Sequence, residues 1–190
     1  MKDKISEIMK NNKEVAQIFS KIEMKISSLY TVKEVFETLL IMIEEEFTIP
    51  FVWISITDDD KGFSRTKKEI SDLIRTLHSS EILKDRLNII GKTAFLDLIA
   101  HNATPLLVNS NLKPFYRLLP QSRKFLFKSL AIAPIALNGD IIGSFNHGDF
   151  SVLRYQPGMN TSMLKQLAAN VSSCLSKIMV CEEEGQESTF

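Results

Sequence analysis

Histidine, cysteine and clustered carboxylates are the side chains best suited to catalysis or metal binding, and this chain has few of them. Its three histidines, His78, His101 and His147, fall in separate stretches without metal-site spacing. His147 alternates with Phe145 and Gly143, where the ordinary expectation is a strand-end histidine bonded to backbone. The cysteines Cys174 and Cys181 lie two helical turns apart. They are too few for a disulfide framework and read as small apolar residues at a helix interface. Asp58-Asp59-Asp60 lacks the alternating ligands, central glycine and distal glutamate of a calcium loop, so it reads as a turn. Gly91-Lys92-Thr93 ends like a phosphate-binding loop, but the glycine required five residues earlier is Arg86. No catalytic residue, metal ligand or cofactor is assigned, and the expectation is that the chain is not an enzyme.

Basic residues interleaved with aromatics can meet phosphates or stack on bases. Arg123, Lys124 and Lys128 border Phe125 and Phe127 in this way. Lys plus Arg and Asp plus Glu both number 23, so the basic surplus of a general nucleic-acid binder is absent. The cluster therefore reads as a solvated face over core aromatics. Apolar residues are 44% of the 190 and charged residues 24%, as in ordinary globular chains. No apolar run is long enough to span a membrane, and the charged N-terminus does not read as a signal peptide. A reduced, cytoplasmic protein is expected.

The elements that must position these residues are legible from periodicity. In the first thirty residues Ile5, Asn12, Phe19 and Ile26 take heptad position a, and Ile8, Val15, Ile22 and Leu29 take d. Such a seam serves a coiled coil between chains, with Asn12 fixing a two-stranded register, or a helix pair within one chain. Thr31-Val32-Lys33-Glu34 is a capping box that opens a second helix, buried through Val35, Phe36, Leu39, Leu40 and Ile43 and closed before Pro50. Its acidic run Glu44–Glu46 reads as a solvated turn. Residues 51–57 read as a strand. Helical stretches at 66–86 and 92–101 and a short strand at 106–108 follow. Residues 129–147 form a hairpin about Asn138-Gly139, with Pro134 requiring an edge or a bulge. The last helix covers about 160–180, with the stripe Leu164, Ala168, Val171, Leu175 and Ile178. The chain thus divides into an amphipathic helix at 1–29, a folded domain at 30–181 and a frayed acidic tail at 182–190.

Three stretches resemble the GAF domain: Ile90-Gly91-Lys92-Thr93 through Thr104-Pro105-Leu106-Leu107-Val108, then Ser129-Leu130-Ala131-Ile132-Ala133-Pro134-Ile135, then Gly139-Asp140-Ile141-Ile142-Gly143-Ser144-Phe145. A closer resemblance lies in Gly143-Ser144, Asp149, Arg154-Tyr155, Pro157-Gly158-Met159, Thr161, Leu164 and Gln166-Leu167. That series is similar to the signature of a bacterial GAF-like family catalogued as domain of unknown function 484. Asn160 departs from it, standing where the family has glycine, and Asn146-His147-Gly148 looks inserted. The resemblance implies an α+β fold, an antiparallel sheet of about six strands with helices on both faces, preceded by a long N-terminal helix.

By the same resemblance, a ligand pocket would lie between the sheet and the helices and loop before the hairpin. Trp53, Phe115, Tyr116, Arg123, Phe145 and His147 are its candidate lining residues. Ile5, Ile8, Asn12, Val15, Phe19, Ile22 and Ile26, with Leu164, Val171, Leu175 and Ile178, are the candidate dimer interface. The expected function is a sensory or regulatory module, a homodimer that binds a small molecule and signals to a partner protein. The alternatives are a ligand-free interaction module, its pocket filled by its own bulky residues (12 are Phe), and, less favoured, an enzyme. No nucleic acid or membrane is expected as a partner.

Overall fold

The computed structural model describes residues 2–58, 65–120 and 127–187, and the side chains of 12–58, 68–120 and 127–180. Arg123, Phe125 and most of the aspartate turn lie outside these residues, as do the side chains of Ile5, Ile8 and Cys181.

Helix α1 runs over Lys2–Ser27 and α2 over Val32–Phe47. Thr31 starts α2 as its sequence predicts. Its hydroxyl oxygen accepts the Glu34 N–H at 3.2 Å and donates to the Glu34 carboxylate at 2.8 Å. Thr48 ends the helix in the left-handed region. The acidic turn does more than meet solvent. Glu44 pairs with Arg86 at 2.6 Å and accepts the Val52 N–H at 3.0 Å, and Glu46 pairs with Lys21. The end of α2 is thereby tied to the chain at Val52 and to α1.

Strands β1 (Phe51–Asp58), β2 (Leu87–Gly91), β3 (Leu106–Val108), β4 (Ser129–Leu137) and β5 (Asp140–Asp149) form one sheet, ordered β2-β1-β5-β4-β3. Among the described residues the sheet has five strands, and it is mixed: β1 and β2 are parallel. This corrects the expectation of about six antiparallel strands. Parallel neighbours need a crossover, and α3 (Arg65–His78) lies within it. Asn138 and Gly139 make the β4–β5 turn at φ 52° and 90°, as a two-residue hairpin of that composition requires. Pro134 is accommodated because β3 reaches only to Ile132, and a register shift follows at Ile135/Ala136. Gly143 is forced by close approach, since a Cβ there would stand 2.0 Å from the Ser55 carbonyl oxygen.

Helices α1, α2 and α5 (Ser162–Glu187) cover one face of the sheet. Val52, Ile54, Ala133 and Phe145 point into this layer. The other face is covered by α4 (Lys92–Leu98), a 3-10 turn at Lys113–Leu118, and Phe127. Helix α5 continues to Glu187, beyond the stop read near 180. Among the described residues no helix is long and apolar enough to cross a membrane.

Candidate functional site

The five described residues of the six-residue candidate pocket do not converge. Strands β1 and β5 pair antiparallel with Trp53 opposite Asn146, and directly opposed residues share a face. Trp53 therefore joins Ser55, Ser144 and Asn146, whereas Phe145 and His147 join Val52 and Ile54 on the helical side. Phe115 and Tyr116, half-buried, pack near Trp53. Arg123 lies outside the described residues.

The Trp53 face is closed by the chain's own side chains. The Leu118 carbonyl accepts from Trp53 Nε1 at 2.6 Å and from Ser55 Oγ at 2.9 Å. Asn146 Nδ2 donates to Ser55 Oγ at 3.0 Å, and Ser144 Oγ donates to Asn146 Oδ1 at 2.8 Å. Phe127 completes a triangle of near-parallel rings with Phe51 and Trp53, its centroid 6.0 and 5.8 Å from theirs. It also lies against Gly148, where a Cβ would meet the ring at 2.8 Å. Each buried polar group named here has a partner, so among the described residues these groups leave a ligand no unmet hydrogen bond.

The opposite face differs. A cavity of about 460 Å³ lies among α1, the corner between α2 and β1, strand β5 and the segment leading into α5. Its apolar wall includes Val15, Phe19, Phe47, Ile49, Leu107 and Leu164. Its polar wall includes His147, Arg154, Tyr155 and Thr161, with Asn12, Met159 and Asn160 exposed around it. His147 is 5% exposed and Tyr155 9%, yet His147 Nε2 has no hydrogen-bond partner, and the Tyr155 hydroxyl has none in good geometry, only the Arg154 guanidinium beside it. Their rings lie 6.0 Å apart. Burial above all, and then the charge of Arg154, lower the His147 pKa from 6.5 to about 3, so the imidazole is neutral. Burial likewise pushes the Tyr155 phenol above its ordinary range, so it keeps its proton. Arg154 donates to the Phe47 carbonyl and stands 3.7 Å from Asp149.

His147 is thus not the backbone-bonded histidine the sequence suggests. Arg154 and Tyr155 carried no chemical assignment in the sequence. Their signal was only their place in the series Arg154 to Thr161, most of which gathers at this cavity.

A second cavity, about 380 Å³, lies between the β4–β5 hairpin and α5. Two of its three serines are spent on backbone: Ser172 Oγ accepts the Ala136 N–H at 2.9 Å, and Ser176 Oγ the Asn138 N–H at 3.3 Å. Cys174 is buried within the helical layer.

The heptad seam divides. Ile22 and Ile26 are fully buried in the chain's own core, and Leu164, Val171, Leu175 and Ile178 are buried there too. A side chain with no exposed area has none to bury against a second copy. Val15 and Phe19 are half-buried at the first cavity, and Asn12 is exposed.

No protein-family model matches the sequence, and the comparison with curated proteins finds no match. Solved structures do match. The GAF domain of the Acinetobacter phosphoenolpyruvate-protein phosphotransferase superposes with a TM-score of 0.55 at 10% identity, covering 86% of this chain and 93% of that one. The corresponding GAF domain from Coxiella burnetii gives 0.51 at 11% identity, over 90% and 95%. The free methionine-R-sulfoxide reductase of Neisseria meningitidis, solved with its substrate, gives 0.50 at 11% identity, over 84% and 88%. The architecture of this chain is the GAF fold.

Proposed function

We propose that this chain is a sensory or regulatory module of the GAF type, akin to the family catalogued as domain of unknown function 484. In this reading it acts as a homodimer, binds a small molecule, and passes the response to a separate partner protein. No residue is given a catalytic role.

One observation carries the proposal. Helix α1 supplies Ile22 and Ile26 to the domain core and Val15 and Phe19 to the wall of the 460 Å³ cavity. A molecule that enters the cavity therefore touches the helix itself. Its differential affinity for two placements of α1 would be the signal. The dimer contact is assigned to the N-terminal part of the seam, Ile5 and Ile8, because Ile22 and Ile26 are already consumed.

The test is light scattering on the wild type and on an Ile5→Lys/Ile8→Lys double variant, with circular dichroism to verify folding. A wild-type mass of two chains and a folded monomeric variant are expected. A monomeric wild type would remove the dimer. Native mass spectrometry of freshly purified protein addresses the ligand, through a reproducible extra mass.

A second reading, a ligand-free interaction module, is favoured by the closed Trp53 face. A dimer that never carries an added mass and is not stabilised by small molecules would establish it.

A further inference from the structure

We propose that the cavity between α1 and the segment 154–161 is a binding site for a small carboxylate with an apolar body. Its carboxylate would be received by His147 Nε2 and the Tyr155 hydroxyl, beside the Arg154 guanidinium. The inference rests on the reading of this chain as a sensory module and adds the place and chemical class of the ligand.

The argument begins with the two unmet polar groups. A buried donor or acceptor without a partner costs free energy, so native chains rarely leave one. Here two such groups belong to residues that line one cavity, each residue at least nine-tenths buried and the two rings 6.0 Å apart. They sit on different elements, His147 on β5 and Tyr155 in the following loop. The pair offers two donors: the phenol keeps its proton, and a neutral imidazole presents an N–H at Nε2 in one of its tautomers. The complement of two neighbouring donors is a group with two acceptor oxygens.

Charge points the same way. Arg154, with a third of its side chain exposed, is the cation of this wall. Asp149 stands only at ion-pair distance, 3.7 Å, and its oxygen accepts the Ser151 N–H at 2.7 Å. The guanidinium thus retains capacity for an incoming anion.

The rest of the wall defines the body. Val15, Phe19, Phe47, Ile49, Leu107 and Leu164 are apolar, which suits an alkyl chain or a phenyl ring and not a sugar or nucleotide. The volume, about 460 Å³, falls within the range of about 300–1,000 Å³ usual for small-molecule sites. The hairpin cavity, where Ser172 and Ser176 already accept backbone N–H groups, has no buried polar atom without a partner among its lining residues.

Isothermal titration calorimetry of the full chain with octanoate and 4-phenylbutanoate tests the site, with octanamide as the uncharged control. Saturable binding of at least one acid is expected, at least tenfold tighter than octanamide. Tyr155→Phe, which deletes one hydroxyl, should weaken it about tenfold while the protein stays folded. Val15→Phe, which fills the apolar wall, should abolish it. No binding of either acid at millimolar concentration overturns the proposal, as does binding unchanged in both variants. Light scattering on the same samples separates the two readings. A dimer that ignores both acids overturns the carboxylate site and leaves the module; a monomer that binds octanoate overturns the dimer and leaves the site.

Discussion

At the scale of single residues, His147 has a consequence for acid stability. The folded chain holds it neutral down to about pH 3, whereas the unfolded chain protonates it near 6.5. Between those values the unfolded state binds a proton that the folded state refuses. Stability therefore falls as pH drops through that window, by up to about 1.4 kcal/mol per pH unit from this group. The charged neighbours are Arg154, which disfavours the imidazolium, and Asp149, the ion partner of Arg154. Replacing His147 with Gln should flatten the pH dependence between about 6 and 4 in urea unfolding. Parallel profiles for wild type and variant would sink the assignment. Tyr155→Phe should leave the unliganded chain folded and within about 1 kcal/mol of wild type in urea unfolding, because it removes a buried hydroxyl whose one polar neighbour is Arg154. Neither effect was legible in the sequence. His147 was visible as a residue type, but the face it reaches depends on pairing with a strand some ninety positions away, and Tyr155 lies in the loop beyond that strand.

At the scale of elements, what is local was legible and what is paired at long range was not. The Thr31–Glu34 capping box and the Asn138-Gly139 hairpin turn act within four residues, and both appear as read. The parallel pairing of β2 with β1 depends on a crossover that no short motif encodes. The heptad seam was ambiguous for a physical reason: a helix pair inside one chain and a coiled coil between chains use nearly the same spacing. Ile22 and Ile26 went to the first use. Gly143 yields the sharpest prediction at this scale. Gly143→Ala would set a methyl 2.0 Å from the Ser55 carbonyl oxygen and force β1 and β5 apart. The expected outcome is insoluble protein or a loss of several kcal/mol in denaturant unfolding. A variant within 1 kcal/mol of wild type would show that the strands can separate without penalty. Thr31→Ala, losing only the cap, should cost about 1 kcal/mol.

At the scale of the whole molecule, the sheet separates two faces of opposite character. One is closed by Trp53, Phe127 and the Asn146 network; the other keeps a cavity beneath α1. The GAF architecture was legible because three motifs occur in order. The assignment of the pocket to one face was not, because an alternating strand shows its two faces without saying which cover each receives. Trp53 adds an optical consequence. It is the chain's only tryptophan, and it is fully buried, stacked on Phe127 and bonded to the Leu118 carbonyl. Its fluorescence is therefore a lamp fixed on the far side of the sheet from the cavity. Emission should be blue-shifted in the native state and should redden when the sheet melts. It should stay nearly constant as a carboxylate fills the space beside His147, whereas a molecule that enters beside Trp53 should quench it.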